Sequence, residues 1–351
     1  MADLATRFAH NPLITPADVK PSQPGMKVEC VLNPGAFTFQ GRTGLVLRVA
    51  ENAVSDDKTL CVPVLDATSP GGVRIMRLDR KDPDLVANDP RVIQYRGADY
   101  LTTVSHLRLA WSDDGQHFTV DDQPFMIGQG EYEQYGIEDC RVSQLDDTYW
   151  LTFTAVSSAG VAVGCARTRD WKTVERPGLI LPPHNKDVAI FEQLVAGQYV
   201  CLHRPSSPHL GGNYIWIASS PDGAHWGHHR CIARSRPGLW DSNRVGAGCA
   251  PIGTPHGWLE IYHGADDRGR YCLGALLLDL QEPWRVIARS REPIMEPTAA
   301  VELKGFYSQC IFTNGHVVRG DSVTVYYGAA DTVVCGATLS VNAILESLRG
   351  G

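Results

Sequence analysis

The chain has 351 residues and a formal net charge of −7, with 43% hydrophobic and 20% charged residues. That length supports a large buried core, and a mildly acidic balance excludes nucleic acid as the main partner, because phosphate backbones demand a basic surface. No stretch of about 18 uncharged apolar residues occurs, so no membrane partner is expected; Met1-Ala2-Asp3-Leu4 lacks a basic and then apolar leader, so a cytoplasmic location is expected.

In chain order, the segment 1–24 reads as an N-terminal extension. The stretch from Cys61 to Leu107 reads as an insertion carrying Arg74, Arg77, Arg80 and His106, one that extends a first or second blade and shapes the acceptor side of a site. A short module then begins to recur. Its copies are Leu109–Phe118, Ala166–Trp171, Ile217–Trp226 and, more loosely, Leu277–Trp284. Each joins a strand to an Asp-centred turn and then an aromatic. Their spacing of roughly 50–60 residues is close to the period of a propeller blade.

Between the copies lie short β-branched and aromatic segments with period two: Thr148–Thr154, Gln198–His203, Gly257–His263 and Val323–Gly328. The 34 glycines and 22 prolines supply the turns such a fold needs. The expectation is an all-β chain forming one five-bladed β-propeller over residues 1–351. The tail 341–351 adds a helical turn or two. An irregular pair of sandwiches is the competing fold, but sandwich strands recur at closer spacing without a module of this length.

None of the ten cysteines forms a Cys-x-x-Cys pair and most sit in apolar runs, so they read as buried thiols in a reducing compartment. His225 and His229 have a helical metal-ligand spacing, but the preceding Pro-Asp-Gly turn and Gly227 argue for a turn and strand, so no metal is expected.

The segment Tyr135-Gly136-Ile137-Glu138-Asp139-Cys140-Arg141 places two adjacent carboxylates at the mouth of a strand. Such a pair suits acid catalysis on a sugar; a solvated turn paired with Arg141 is the bland alternative. A propeller converges the ends of its inner strands on one axis. The polar residues that interrupt those strands are Asn33, Arg48, Asp139, Arg141, Lys186, Asp187, His203, Arg204, Asp241, Arg244, His263 and Asp331. Several cations in one place suggest an anionic substrate or co-substrate.

Ordered along the chain are Asn11-Pro12-Leu13-Ile14-Thr15-Pro16 with Asp18, Gly136–Arg141, Pro182–Val188, Leu202–Pro205, Trp240–Gly248, Gly257–Gly264 and Tyr327–Asp331. On these motifs the chain resembles glycoside hydrolase family 130, the β-mannoside phosphorylases and β-mannosidases, and most resembles its β-1,2-mannoside-active members. The resemblance implies a five-bladed propeller, no organic cofactor, inorganic phosphate as co-substrate, a β-mannoside oligosaccharide as substrate and a homo-oligomer. It implies Asp139 as the general acid, acting through a hydroxyl of the bound mannose. Lys186, Arg204, Arg244 and His263 are implied as the phosphate cradle. Asn33, Arg48, Glu138, Arg141, Asp187, His203, Asp241 and Asp331 are implied as sugar-orienting residues.

The expected reaction is inverting phosphorolysis to mannose 1-phosphate and a shortened sugar. An inverting β-mannosidase is the first alternative, with Glu192 or Glu260 as a water-activating base. The basic Arg204 and Arg244 favour the phosphorylase. Against it, the usual Phe-Pro-Glu-Lys reads Phe191-Glu192-Gln193-Leu194, Glu-Asp-Pro-Arg reads Glu138-Asp139-Cys140-Arg141, and Asn-Val-Val-Phe reads Gln309-Cys310-Ile311-Phe312. A non-catalytic carbohydrate-binding propeller is a second alternative. A WD-repeat type of interaction propeller is a third, and the missing Trp-Asp blade endings oppose it.

Overall fold

The computed structural model describes residues 3–89, 91–206 and 211–349. The fold is all-β. Five antiparallel sheets follow one another along the chain, and in the first four of them the main strands lie side by side in chain order. The first sheet runs Met26–Phe39, Arg42–Ala53, Thr103–Ser112 and Thr119–Val120. The second runs Ile137–Leu145, Thr148–Ser157, Gly160–Thr168 and Glu175–Leu181. The third runs Asn185–Ile190, Tyr199–Pro205, Ile215–Ser220 and Gly227–Ala233. The fourth runs Arg244–Gly246, Gly257–Ala265, Tyr271–Leu278 and Val286–Arg289, with Ile252–Thr254 added beside its second strand.

The fifth sheet is built differently. It runs Ile311–Arg319, Ser322–Ala329 and Val333–Ser340, and takes its outer strand from Thr6–Arg7 near the other end of the chain, with Thr6 opposite Thr338. The chain then leaves as the helix Val341–Arg349, which buries Ile344, Leu345 and Leu348.

The recurring module is the third strand of a sheet and the turn that follows it. After each of the first four third strands an aspartate accepts two backbone N–H groups, so its side chain mimics a backbone turn. Asp114 accepts from Gln116 and His117, and Asp170 from Lys172 and Thr173. Asp222 accepts from Ala224 and His225, and Asp279 from Gln281 and Glu282. Only four copies exist because the fifth sheet borrows its outer strand and needs no such turn.

Apolar side chains lie between successive sheets. Phe37, Val46 and Leu109 of the first pack with Val142, Leu151 and Phe153 of the second. Val163 of the second packs with Val188 and Cys201 of the third, and Leu202 and Ile217 of the third with Val245 and Leu276 of the fourth. Leu259 and Leu273 of the fourth meet Ile311 and Val325 of the fifth. Val317 and Tyr326 of the fifth then meet Val31 and Leu45 of the first.

The insertion differs from its expected bounds. Residues from Thr103 belong to the third strand of the first sheet, and His106 is buried there. The inserted chain lies between Ala53 and Thr103. It forms a hairpin, Thr59–Leu65 with Val73–Asp79, and a small three-stranded sheet, Leu85–Val86, Val92–Tyr95 and Ala98–Leu101. Leu60-Cys61-Val62 of that hairpin is a continuous apolar run rather than an alternating one, which a sequence reading without a partner strand cannot assign to a sheet. All ten cysteines are unpaired, and nine of them are buried.

Candidate active site

Four first strands carry a bulge, and three of these bulges hold a polar residue with positive φ. The register shifts between Leu32 and Gly35, between Glu138 and Arg141, and between Lys186 and Ala189. Asn33, Asp139 and Asp187 sit in them at φ 44°, 53° and 55°. Asn and Asp tolerate this region better than other side chains, and bulges re-aim side chains beside active sites. All three line one cavity of about 180 Å³, together with Arg48, Lys186, Arg204, Arg244 and Asp331.

The carboxylate of Asp139 is the focus of the hydrogen bonds there. Asn33 Nδ2 donates to its Oδ1 at 3.0 Å and Arg48 Nη1 at 3.1 Å. Arg48 Nη2 also donates to Glu138 Oε1 at 2.8 Å, and its Nε to Ser105 Oγ at 3.2 Å. Lys186 Nζ lies 4.0 Å from Glu138 Oε2. Burial opposes the charge on Asp139, but Arg48, Lys186, Arg141 and Asn33 outweigh it and hold the carboxyl below its ordinary value. Asp187 is held well below it: burial is again overcome, here by Arg204, 3.1 Å away, and Arg141, also 3.1 Å away.

Asp331 goes the other way. Burial lifts its carboxyl to about 6, with Arg48 opposing and Asp139 and Glu138 adding to the rise. The native protein therefore keeps a proton on Asp331 that the unfolded chain releases from about pH 4. This contribution favours folding in mild acid and is lost as pH rises through about 6. Asp331→Asn, which mimics the protonated form, should raise Tm relative to the parent more at pH 7 than at pH 4. A Tm difference independent of pH would contradict this.

Five expected site residues lie outside the cavity wall. Arg141 is buried behind it: Nη1 donates to the Asp139 carbonyl at 2.9 Å, Nη2 to the Ala247 carbonyl at 3.0 Å and Nε to the Gly248 carbonyl at 2.8 Å. It is a strut for the two aspartates, buried with only 1% of its surface exposed. His263 stands behind Arg204, its Nε2 3.4 Å from Asp187 Oδ2, and burial lowers it to about 4, so near neutrality it brings no charge to a cradle. His203 is tied to Asn185 and His229. Asp241 is enclosed by Arg236, Arg289 and Tyr262. Glu138 borders the cavity through its bond to Arg48.

Neither expected alternative base reaches the site. Glu192 lines a separate cavity with Gln144, Cys249 and His316, and accepts from the Gln144 amide at 2.8 Å. Glu260 is buried, and its Oε1 accepts from the Gly248 amide at 2.8 Å. Burial pushes its carboxyl well above the usual carboxylate range. Glu260 thus fixes the peptide that anchors Arg141. Glu260→Gln, near-isosteric and still an acceptor for the Gly248 amide, should keep turnover and Tm near those of the parent. Glu260→Ala leaves a buried amide unpaired, at a cost of about 1–3 kcal/mol, and should lower both. A Gln variant as impaired as the Ala variant would contradict the strut role.

The aromatic wall was missed. Tyr271, Tyr307 and Phe312 line the cavity with Cys310, and the Arg244 guanidinium lies over the Tyr271 ring at 5.9 Å. Tyr271 and Phe312 stand in apolar runs, which read as core; the pairing of Tyr271 with Gln309 through the backbone is what brings the two segments together.

The family model described as beta-1,4-mannooligosaccharide phosphorylase, of glycoside hydrolase family 130, matches residues 81–350. The chain belongs to this family. Among family 130 proteins, a "Beta-1,2-mannobiose phosphorylase" of Listeria innocua is 44% identical over 98% of each chain. A "1,2-beta-oligomannan phosphorylase" of Thermoanaerobacter is 39% identical over 70% of this chain and 82% of its own. The solved structure of the Listeria innocua beta-1,2-mannobiose phosphorylase with beta-1,2-mannobiose superposes with a TM-score of 0.92, covering 99% of both chains at 43% identity.

Proposed function

We propose that this protein is an inverting β-mannoside phosphorylase, acting on β-1,2-linked manno-oligosaccharides and releasing mannose 1-phosphate. The observation that carries the choice of phosphate over water is the cavity wall. Arg48, Lys186, Arg204 and Arg244 line it, whereas Glu192 and Glu260 lie elsewhere. A desolvated dianion needs several fixed cations, and a hydrolytic water needs a carboxylate base.

In this reading Arg204, Arg244 and Lys186 aim phosphate at the anomeric carbon. Arg48, Asn33 and Asp331 surround the sugar's polar edge, and Tyr271, Tyr307 and Phe312 face its apolar side. The bond from the anomeric carbon to a phosphate oxygen forms as the bond to the leaving oxygen breaks on the opposite face. Asp139 supplies the proton for that oxygen and regains one from phosphate or solvent. Arg48 and Lys186 hold the Asp139 carboxyl below its ordinary value against the effect of burial. A phosphate dianion beside these cations offsets their pull and raises the carboxyl, so phosphate loading readies the acid.

We also infer that the five sheets are blades of a single propeller spanning the chain, closed by Thr6–Arg7. The cyclic succession of shared cores supports this, the fifth sheet packing back on the first. The unpaired thiols support a reducing, cytoplasmic location. Mannose 1-phosphate formed from β-1,2-mannobiose only when phosphate is present is the expected product; free mannose formed equally without phosphate would favour the hydrolase.

A further inference from the structure

Behind the wall that carries Lys186 and Arg204 runs a chain of side-chain hydrogen bonds that the reaction above does not use. Lys186 stands opposite Arg204 in the third sheet, and both line the catalytic cavity. Their neighbours Asn185 and His203 take the other face of the same two strands, because side chains alternate along a strand. Both are buried, His203 with 2% of its surface exposed. His203 Nδ1 lies 3.1 Å from Asn185 Oδ1, and His203 Nε2 lies 3.0 Å from Nδ1 of His229. His229 is exposed on the outer strand Gly227–Ala233.

These bonds fix where each hydrogen sits. The Lys186 backbone N–H donates to the same Asn185 Oδ1 at 3.1 Å. A backbone N–H only donates, so that atom is the amide oxygen and not its nitrogen. The oxygen accepts, so Nδ1 of His203 carries hydrogen. Burial, with His229 beside it, lowers His203 to about 3, so near neutrality its ring has one hydrogen and its Nε2 is bare. His229 Nδ1 then donates to that Nε2. The chain runs one way, from His229 through His203 and Asn185 to the Lys186 peptide.

That peptide lies where the strand loses its regular pairing. Opposite Asn185 stands Pro205, which has no N–H to offer, and the register shifts between Lys186 and Ala189. The ladder weakens on both sides of Lys186, and the Asn185 oxygen takes its N–H.

We infer that Asn185 and His203, held by His229, are positioning residues for Lys186 and set its ammonium for the phosphate. The inference rests on the phosphorolysis reading above. Misplacing a group by about 1 Å can cost on the order of 100-fold in rate. Loosening this peptide therefore reaches the phosphate, while Asn33, Arg48 and Asp331 keep their places on the cavity wall.

His203→Leu and His203→Asn are close in shape, and only the Asn variant presents an N–H where Nδ1 stands. KM values for phosphate and for β-1,2-mannobiose would be measured with the full chain and both variants. The Leu variant is expected to raise the phosphate KM by about 5- to 10-fold, with the mannobiose KM within about two-fold. The Asn variant should keep both within about two-fold. Should His203→Leu fail to fold, His229→Leu removes the terminal donor at an exposed position and should raise the phosphate KM by about 2- to 5-fold. Heteronuclear NMR of nitrogen-labelled histidine reads the proton directly: the resonance lost in His203→Asn should belong to an Nδ1–H tautomer in the wild type. An Nε2–H tautomer would overturn the inference. So would a phosphate KM unchanged in the folded Leu variant, one raised equally in the Leu and Asn variants of His203, or a mannobiose KM raised as much as the phosphate KM. Each of these leaves phosphorolysis standing. A wild-type protein that forms no mannose 1-phosphate would overturn the phosphorolysis reading itself, and this inference with it.

Discussion

Asp139→Asn should lower turnover by about 10²–10⁴-fold, the range expected for loss of a positioned general acid, while sugar binding persists. The variant is close to isosteric. Asn keeps the Oδ1 acceptor that takes hydrogen bonds from Asn33 and Arg48. It also tolerates the φ of 53° imposed by the bulge, which an alanine would adopt at a cost. What it loses is the transferable proton. Turnover of mannose 1-phosphate formation and calorimetric binding of mannobiose would be measured together. Turnover within a few-fold of the parent would remove Asp139 from the acid role.

Arg204→Ala should raise the KM for phosphate by about 10- to 100-fold with little change in the KM for the sugar, as expected for loss of one charge-assisted contact worth about 1.5–3 kcal/mol. Arg204 lines the cavity and is only 7% exposed, so solvent does little to screen its charge. Its removal also takes one partner from Asp187. Breaking a buried pair outright costs about 3–5 kcal/mol, but Asp187 retains Arg141 at 3.1 Å, so a smaller loss of Tm is expected. An unchanged phosphate KM in a folded variant would take Arg204 out of the cradle.

How far the molecule is legible in its sequence depends on whether the cause is local. The Asp-centred turn after each third strand is local: Asp114, Asp170, Asp222 and Asp279 bond to backbone two and three residues on, so the module is visible as a repeat. The outer strand of the fifth sheet is not local, since Thr6 pairs with Thr338. Strand alternation assigns faces only while period two holds. It fails at the bulges, and Asn33, Asp139 and Asp187 stand in bulges. Residue type marked them as candidates; only the bulged backbone says that they meet.

The same types mislead elsewhere. Asp241 and Arg141 look like site groups in the sequence, yet both are buried and tied to partners distant in the chain, Arg289 for one and Ala247 and Gly248 for the other. Glu260 looked equally able to serve as a base because strand alternation says which face it takes but not which face is wet. The structure buries it against the Gly248 amide, and it is not among the residues that line the cavity.

The central claim is that the basic cavity selects phosphate over water as the nucleophile. Its most direct test is product analysis on β-1,2-mannobiose with and without inorganic phosphate, followed by the anomeric configuration of the sugar phosphate. Phosphate-dependent formation of α-mannose 1-phosphate, with no free-mannose background beyond one mannose per phosphorylated sugar, is predicted. Free mannose released at the same rate in both conditions would contradict the account.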